Sequence, residues 1–446
     1  MTVVSAEERS QQRPFHVLRH RDFRLLWPAE MLSTLGTQVQ CVAIIWHVFR
    51  ITGDPLQLGL LGLVRFLPIL LFGLWGGVVA DQRDRRTLLV TQLALLTAPT
   101  LLDVATTRDV FVLPTIYALT FASAAVMAIA GPTRQALIPA LVPRSNLTGA
   151  VTLNIISSQV AAVTGPLVAG LVIARFGVAV AYGLDAVSFL AVIAAVLAMG
   201  ARPTVVPVVA GGIAAALDGL RFLRRAPVLL GVMTVDFLAT FFGASTALLP
   251  VFAADVLGLD AQGLGLLYAA PAAGALVGSL LLGTLRPPSR PGAGVLGAVV
   301  IYGLAIVGFG LSRTARAAVA ALAVSGAADA VSMAWRHALR SLATPDEYRG
   351  RVAAAHSTFA MGGPPLGEFE AGVTAALLGP VASVVIGGTG AVLAAAAVAL
   401  RTPSVLRYRT DQEIDRPGDR LKTEGTWWRE ISRLHATATS PLVCPV

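Results

Sequence analysis

Charged residues are scarce in this chain. Asp, Glu, Lys and Arg make up 13% of its 446 residues, whereas a soluble globular domain carries about a quarter. Lysine is nearly absent, because Lys422 is the only one and the other basic residues are arginines. Hydrophobic residues reach 55%, which is more than one soluble core can bury. The composition therefore excludes an ordinary soluble domain and indicates that a lipid bilayer surrounds much of the chain.

Several patterns that carry chemistry are also missing. The two cysteines, Cys41 and Cys444, cannot form the multi-bridge framework of a small secreted domain. The sequence contains no phosphate-binding G-x-x-x-x-G-K-[ST] loop, zinc-binding His-Glu-x-x-His, nucleophile elbow or cluster of metal ligands. We therefore expect a protein that is not an enzyme and uses neither a cofactor nor a metal. The net charge of +9 comes from arginines at the ends of apolar runs, which argues against a nucleic-acid partner.

Apolar runs long enough to cross a bilayer recur along the chain. A membrane helix needs about 20 mostly apolar residues, and on this basis the sequence predicts twelve spans. They lie at 24–49, 56–80, 87–107, 111–131, 147–174, 178–200, 228–254, 262–285, 292–311, 315–339, 352–378 and 381–400. Pro132, Pro139 and Pro143 follow the fourth run, and we expect them to end that helix.

The arginines predict which side of the membrane each connection faces. With the N-terminus in the cytoplasm, the inner connections hold nineteen arginines and the outer connections five. Arginine accumulates on the cytoplasmic side of membrane proteins. We therefore expect a multi-pass protein of the plasma membrane with both termini in the cytoplasm.

The chain divides into two halves that resemble each other. We predict an N-terminal segment (1–22), a six-helix bundle (23–200), a linker with an amphipathic helix (201–227), a second bundle (228–400) and a C-terminal tail (401–446). A shift of 202 residues places Arg134, Pro143, Gly165, Gly170 and Gly177 on Arg336, Pro345, Gly367, Gly372 and Gly379. Such a parallel repeat is typical of transporters whose substrate site lies between two halves.

The break between the second and third predicted spans is very short and strongly charged. Five charged residues follow Ala80 within six positions, and the apolar run resumes at Thr87. So short a connection makes the two helices antiparallel neighbours. Its Gly77, Asp81, Arg85 and Arg86 match the turn Gly-x-x-x-Asp-Arg-x-Gly-Arg-Arg, a signature of the major facilitator superfamily.

The resemblance to the major facilitator superfamily covers about residues 20–400. It is carried by residues 23–27, the turn at 77–86, residues 165–170, and the blocks 344–352 and 366–372. Within the superfamily, the chain resembles the drug:proton antiporter branch that includes enterobactin-exporter-like and macrolide-efflux-like proteins. This resemblance implies an all-α integral membrane protein with twelve transmembrane helices in two pseudo-symmetric six-helix bundles, and a bacterial source.

Two motifs have a functional interpretation beside a purely structural one. By resemblance, Asp81 holds the N-terminus of the eleventh span and closes the cytoplasmic side, whereas the arginines of that turn could instead only fix the topology. Gly165, Pro166 and Gly170 resemble an antiporter hinge, and close helix packing would need the same small residues.

Ionisable residues inside the spans are the candidates for coupling and pairing, because such residues are rare in hydrocarbon and usually face a cavity or a partner. A carboxyl group held away from water also binds a proton more readily than one in water. The proton-coupling candidates are Glu30, Asp236, Asp329, Glu368 and Glu370. The charge-partner candidates are Arg65 and Arg336, although Arg336 could instead extend to the inner membrane surface, which we prefer. Asp103 and Asp185 are further acidic residues within the spans, but together with Asp255 they fall near predicted outer ends, where we expect solvent to satisfy them.

Polar residues that could line a cavity are Gln38, Gln40, Asn154 and Gln159, and each could equally form a hydrogen bond between helices. Many members of the resembled branch carry Asp after the glycine of the first span, where this chain has Gly36-Thr37. Proton coupling, if it occurs, must then use another carboxylate, such as Glu30 or Glu368.

The sequence thus predicts a monomeric secondary transporter that exports a hydrophobic or amphipathic small molecule, such as a drug, a macrolide-like compound or a siderophore, in exchange for protons. A dedicated exporter of a siderophore or biosynthetic product is the nearest alternative. A membrane scaffold or sensor on the same fold is the alternative of another class.

Overall fold

The structure is a computed structural model that describes residues 14–80, 91, 95, 97–98, 101–102, 112–200, 223, 226–284, 289–345 and 348–408. These residues form helices, with no strand among them. The long helices are α1 (Arg21–Thr52), α2 (Pro55–Ala80), α3 (Val112–Leu141), α4 (Leu147–Phe176), α5 (Val178–Ala198), α6 (Pro227–Phe242), α7 (Ala261–Thr284), α8 (Pro291–Leu311), α9 (Ala315–Ala343), α10 (Arg349–Leu378) and α11 (Pro380–Arg401). After α6 the chain continues through short helical turns to Val256.

Membrane-length apolar helices dominate the described part of the chain. Nine of its helical segments are long and apolar enough to cross a bilayer. Large apolar side chains such as Leu197, Leu280 and Leu393 are more than 60% exposed on these helices. In a soluble protein such exposed apolar surface would promote aggregation, whereas the hydrocarbon tails of lipids solvate it well. The fold class predicted from the sequence, an all-α integral membrane protein, is confirmed.

Most predicted spans lie within a few residues of an observed helix, but one prediction about proline is wrong. Helix α3 runs through Pro132 and Pro139 and ends only before Pro143. Proline is tolerated inside membrane helices because neighbouring groups satisfy the freed backbone carbonyl. The third predicted span, 87–107, lies almost wholly outside the described residues, as does most of the predicted linker, so the count of twelve spans stays a prediction.

The described residues divide into two compact units. The first contains residues 14–51 and 64–200. In it, Leu26 of α1 packs with Val192 and Val196 of α5, and Phe23 packs with Leu153 of α4. These apolar contacts hold α1, α4 and α5 together as one bundle.

The second unit contains residues 52–63 and 223–408. Val235, Val299, Leu339 and Ala395 form a core shared by α6, α8, α9 and α11. Helices α7 and α9 approach so closely that a Cβ added at Gly274 would overlap the backbone carbonyl of Ala323. Small residues permit this approach, which is a common means of packing helices in membranes.

The internal repeat predicted from the sequence recurs in the helix positions. Helices α9, α10 and α11 begin 202 or 203 residues after α3, α4 and α5. Gly177, which joins α4 to α5, has φ of 84°, and Gly379, which joins α10 to α11, has φ of 90°. The two joints therefore share one backbone conformation that L side chains rarely adopt.

Candidate functional site

A group of buried charges lies inside the second unit. Arg336 on α9 is 5% exposed, and its Nη1 lies 2.6 Å from Oδ1 of Asp236 on α6. Its Nη2 donates a hydrogen bond of 3.1 Å to Oδ1 of Asp329, two turns earlier on α9. The contact with Asp236 is an ion pair that lacks hydrogen-bond geometry. One guanidinium group thus pairs with two carboxylates.

Histidine and a second arginine extend this group. Nδ1 of His356 on α10 lies 3.6 Å from Oδ2 of Asp236. One turn beyond Arg336, Nη2 of Arg340 lies 2.7 Å from Nδ1 of His337. We call Asp236, Asp329, Arg336, Arg340 and His356 the arginine cluster.

A small pocket opens beside the arginine cluster. Asp236, Arg336, Arg340 and His356 line one side of it, and the apolar residues Leu229, Val232 and Met233 line the rest. The space open to the centres of water molecules is about 10 Å³, roughly what one water molecule needs. The pocket therefore has room for about one water molecule beside these charged groups.

The position of the cluster along its helices places it at membrane depth. Asp236 lies nine residues beyond Pro227, the first residue of α6, which corresponds to about 14 Å along the helix axis. The hydrocarbon core of a bilayer is about 30 Å thick. Asp236, and with it the ion pair to Arg336, therefore lies within the part of the chain that hydrocarbon would surround if α6 enters the bilayer at Pro227.

The formal charges of the cluster balance. Two arginines face two aspartates, and the histidine adds charge only when protonated. A proton on either carboxylate leaves arginine charge uncompensated in surroundings of low dielectric. The cluster can therefore change its contacts when it binds or releases a proton.

The other charged candidates lie on α1, α2 and α10 and are not members of the arginine cluster. Glu368 and Glu370 both lie on α10 and are half-buried, as is Glu30 on α1. Glu368 packs against Gly62 of α2, where its Oε2 lies 2.9 Å from the position that an added Cβ would occupy. Glu370 accepts a 2.9 Å hydrogen bond from Thr374 of its own helix. Arg65 on α2 is buried.

The preferred interpretation of Arg336 from the sequence is wrong. An arginine that extends to the membrane surface keeps its charged head in water, whereas Arg336 is buried and paired with Asp236. The expectation that solvent satisfies Asp185 is also wrong, because this residue of α5 is 0% exposed. Asp255, in contrast, is exposed as expected.

The polar and glycine candidates of the first unit lie on α1 and α4. Gln38 and Gln40 are buried on α1, and Asn154 and Gln159 are half-buried on α4. Gly165, Pro166 and Gly170 are buried within the continuous helix α4. A Cβ added at Gly165 would lie 2.5 Å from Cβ of Gln38, so α1 and α4 pack very closely there.

The charged turn lies mostly outside the described residues. Gly77 lies in the last turn of α2, whereas Asp81, Arg85 and Arg86 lie outside the described residues. The role of the turn stays a prediction.

Sequence reasoning missed several residues that the fold brings to these sites. Arg340 follows Arg336 by one helical turn, a spacing that could have indicated a shared face. His337 and His356 gave no such signal, because a single histidine in an apolar run has no periodicity. Asp185 was judged by its distance from a predicted helix end, and that distance says nothing about which helix covers it.

Comparison with known proteins agrees with this architecture. The family model described as transmembrane secretion effector matches residues 12–417. The chain is 28% identical to the enterobactin exporter EntS of Citrobacter koseri over 407 residues, which cover 87% of this chain and 94% of that protein. The enterobactin exporters of Shigella boydii and Escherichia coli match to the same extent.

Solved structures with the same fold are also transporters. A bacterial homolog of the human lysosomal transporter Spinster superposes with a TM-score of 0.71 at 15% identity and covers 87% of this chain and 98% of its own. A bacterial homologue of the iron transporter ferroportin gives 0.66 at 17% identity, with coverage of 85% and 98%. These identities establish only a shared fold, whereas the family match spans nearly the whole chain. The chain therefore belongs to the transmembrane secretion effector family of major facilitator transporters.

Proposed function

We propose that this protein exports a small molecule of the siderophore class in exchange for protons, and that the arginine cluster couples the two. Similarity to enterobactin exporters over 87% of this chain supports the substrate class. The observation that carries proton exchange is the buried Arg336 held between two carboxylates at membrane depth.

The composition of the cluster exceeds what a structural ion pair needs. Charges inside a membrane are costly, and those that persist usually mark the path of an ion or a substrate. Arg336 and Asp236 alone would neutralise each other. The second carboxylate, Asp329, and the adjacent His356 add groups that can take up a proton.

Asp329 is the carboxylate best placed to meet a substrate. Its side chain is 28% exposed, against 13% for Asp236. A carboxylate accepts several hydrogen bonds from substrate hydroxyl groups, and a protonated carboxyl accepts fewer. Proton and substrate therefore weaken each other's binding at Asp329, which is the thermodynamic condition for exchange.

The surroundings of the cluster favour an amphipathic substrate. Leu229, Val232 and Met233 lie beside the charged groups, so polar and apolar contacts are available together. A hydrophobic drug or macrolide-like compound would use the same combination, and such compounds belong in the test.

The proposal is tested by proton flux in liposomes with an acidic interior. Enterobactin, a macrolide and a lipophilic cation are added in turn while the internal pH is recorded. We expect enterobactin to dissipate the gradient with the wild-type protein, and Asp329→Asn and Asp236→Asn to abolish this flux. Asp255→Asn, which alters an exposed carboxylate, serves as the matched control and keeps the flux.

The outcomes separate the alternatives. Proton flux with the macrolide alone would show that the substrate is a macrolide-like compound and not a siderophore. Accumulation of labelled enterobactin without proton movement would refute proton exchange. If no compound accumulates across the panel, the exporter assignment fails, and a scaffold or sensor on the same fold replaces it.

A further inference from the structure

A further buried carboxyl group belongs to the first unit. Asp185 on α5 is 0% exposed. Its Oδ1 lies 3.3 Å from Oγ of Ser188, and its Oδ2 has no hydrogen-bond partner among the described residues. Gly36 of α1 covers the group, because a Cβ added there would lie 2.8 Å from Oδ1 of Asp185. Helix α1 can approach this carboxyl only because residue 36 lacks a side chain.

Further polar residues continue along the same faces of the two helices. Ser33 and Gln40 lie one turn on either side of Gly36 and are buried. The Oγ of Ser33 and both polar atoms of Gln40 lack partners within the described part of the chain. Nearer the end of α1, Nδ1 of the half-buried His47 lies 3.0 Å from the hydroxyl of Tyr182, one turn before Asp185. We call this strip of α1 and α5 the polar seam.

We propose that Asp185 is a second proton-binding residue of the transport cycle. The proton binds at its carboxylate oxygen and leaves it as an ion, and no other bond changes. Besides Asp185, the titratable groups of the polar seam are His47 of α1 and Tyr182 of α5. The role of Asp185 in transport rests on the proton exchange proposed above, whereas its protonation can be measured without a substrate.

The seam contains what both protonation states require. Among the described residues, Asp185 has one weak partner and no cationic one, which suits a neutral carboxyl. The unpartnered hydroxyl of Ser33 and amide of Gln40 are hydrogen-bond donors on the facing helix. A shift of α1 along α5 would bring one of these donors, Ser33 or Gln40 according to its direction, toward an ionised Asp185 and would satisfy both that donor and the carboxylate.

Infrared difference spectroscopy of the substrate-free protein in liposomes tests this assignment. Between acidic and alkaline pH, we expect the carbonyl band of a protonated carboxylic acid to disappear in the wild type. Asp185→Asn should remove this band, and Asp255→Asn should keep it. Ser188→Ala should keep the band and move its frequency, since that change removes the hydrogen bond to Oδ1. This last variant retains the carboxyl, so the test holds even if Asp185→Asn does not fold.

Three results would overturn the assignment. One is a band that is unchanged in both Asp185→Asn and Ser188→Ala. Another is a band that belongs to Asp185 and responds to neither pH nor enterobactin, because the residue is then a permanently neutral part of the core. The third is loss of the band on adding Na⁺ at constant pH, which identifies a sodium site. Failure of the proposed export leaves the pH response of the band intact, so the two proposals fail separately.

Discussion

The environment of a single side chain decides what Arg336 can do. In water an arginine needs no partner, but Arg336 is buried at membrane depth and contacts Asp236 and Asp329. Burial of an ion pair gains little net stability, because desolvation offsets the attraction. Loss of one partner is far more damaging, since the remaining charge is buried alone.

Replacement of Arg336 by glutamine is therefore expected to destabilise the protein by about 3–5 kcal/mol. Adding Asp236→Asn to this variant should restore part of the loss, because one of the two orphaned carboxylates is then neutral. Unfolding by SDS in detergent micelles measures both values. Arg401→Gln, at the exposed end of α11, is the control and should change little. Equal loss in the single and double variants would show that the ion pair does not account for the effect.

Gly36 offers a second test at the scale of one residue. A Cβ at this position would lie 2.5 Å from Oγ of Ser188 and 2.8 Å from Oδ1 of Asp185. We expect Gly36→Ala to cost about 1–3 kcal/mol, the usual range for overpacking. Gly183→Ala on α5 is the matched control, because nothing lies within 4 Å of its added Cβ. A neutral Gly36→Ala in the same SDS titration would mean that α1 and α5 are farther apart in the membrane.

Whole helices were the features most accessible from the sequence. The predicted spans 56–80, 147–174 and 292–311 differ by at most two residues at either end from α2, α4 and α8. Apolar length and flanking charge determine such ends, because the bilayer fixes how much of the chain it can hold. The rotation of each helix about its own axis could not be predicted from the sequence. Membrane helices are apolar on all sides, so no face of α6 identified Asp236 as the partner of Arg336.

The joints between helices require a backbone conformation that favours glycine. The sequence alone showed only that Gly177 and Gly379 occupy corresponding positions in the repeat. Gly379 has φ of 90° and ψ of 157°, a region open almost only to glycine. We expect Gly379→Ala to destabilise the second unit by about 1–3 kcal/mol. Gly350→Ala in the first turn of α10 is the control, since that glycine has neither a positive φ nor a neighbour within 4 Å. Hydrogen exchange of α10 and α11 would report the effect, and equal protection in both variants would contradict it.

At the scale of the whole chain, one repeated scaffold carries two different polar sites. Gly165 brings α4 against α1 in the first unit, and Gly367, its counterpart in the repeat, brings α10 against α6 in the second. Yet the second unit buries paired charges, whereas Asp185 in the first unit has no cationic partner among the described residues and lies near neutral donors. The common backbone explains how the chain packs in lipid. We propose that proton exchange depends on these two polar sites, which differ between the halves.

The arrangement of arginines predicts the orientation of this scaffold in the membrane, and α8 provides a direct test. Arg290 and Arg313 are exposed residues at opposite ends of its 21-residue span. With nineteen arginines in the predicted inner connections against five in the outer ones, Arg290 should face the cytoplasm. In a background with Cys41 and Cys444 replaced by alanine, a membrane-impermeant maleimide should label Arg313→Cys in intact cells. It should reach Arg290→Cys only after permeabilisation. The reverse pattern would place both termini outside and refute the predicted orientation.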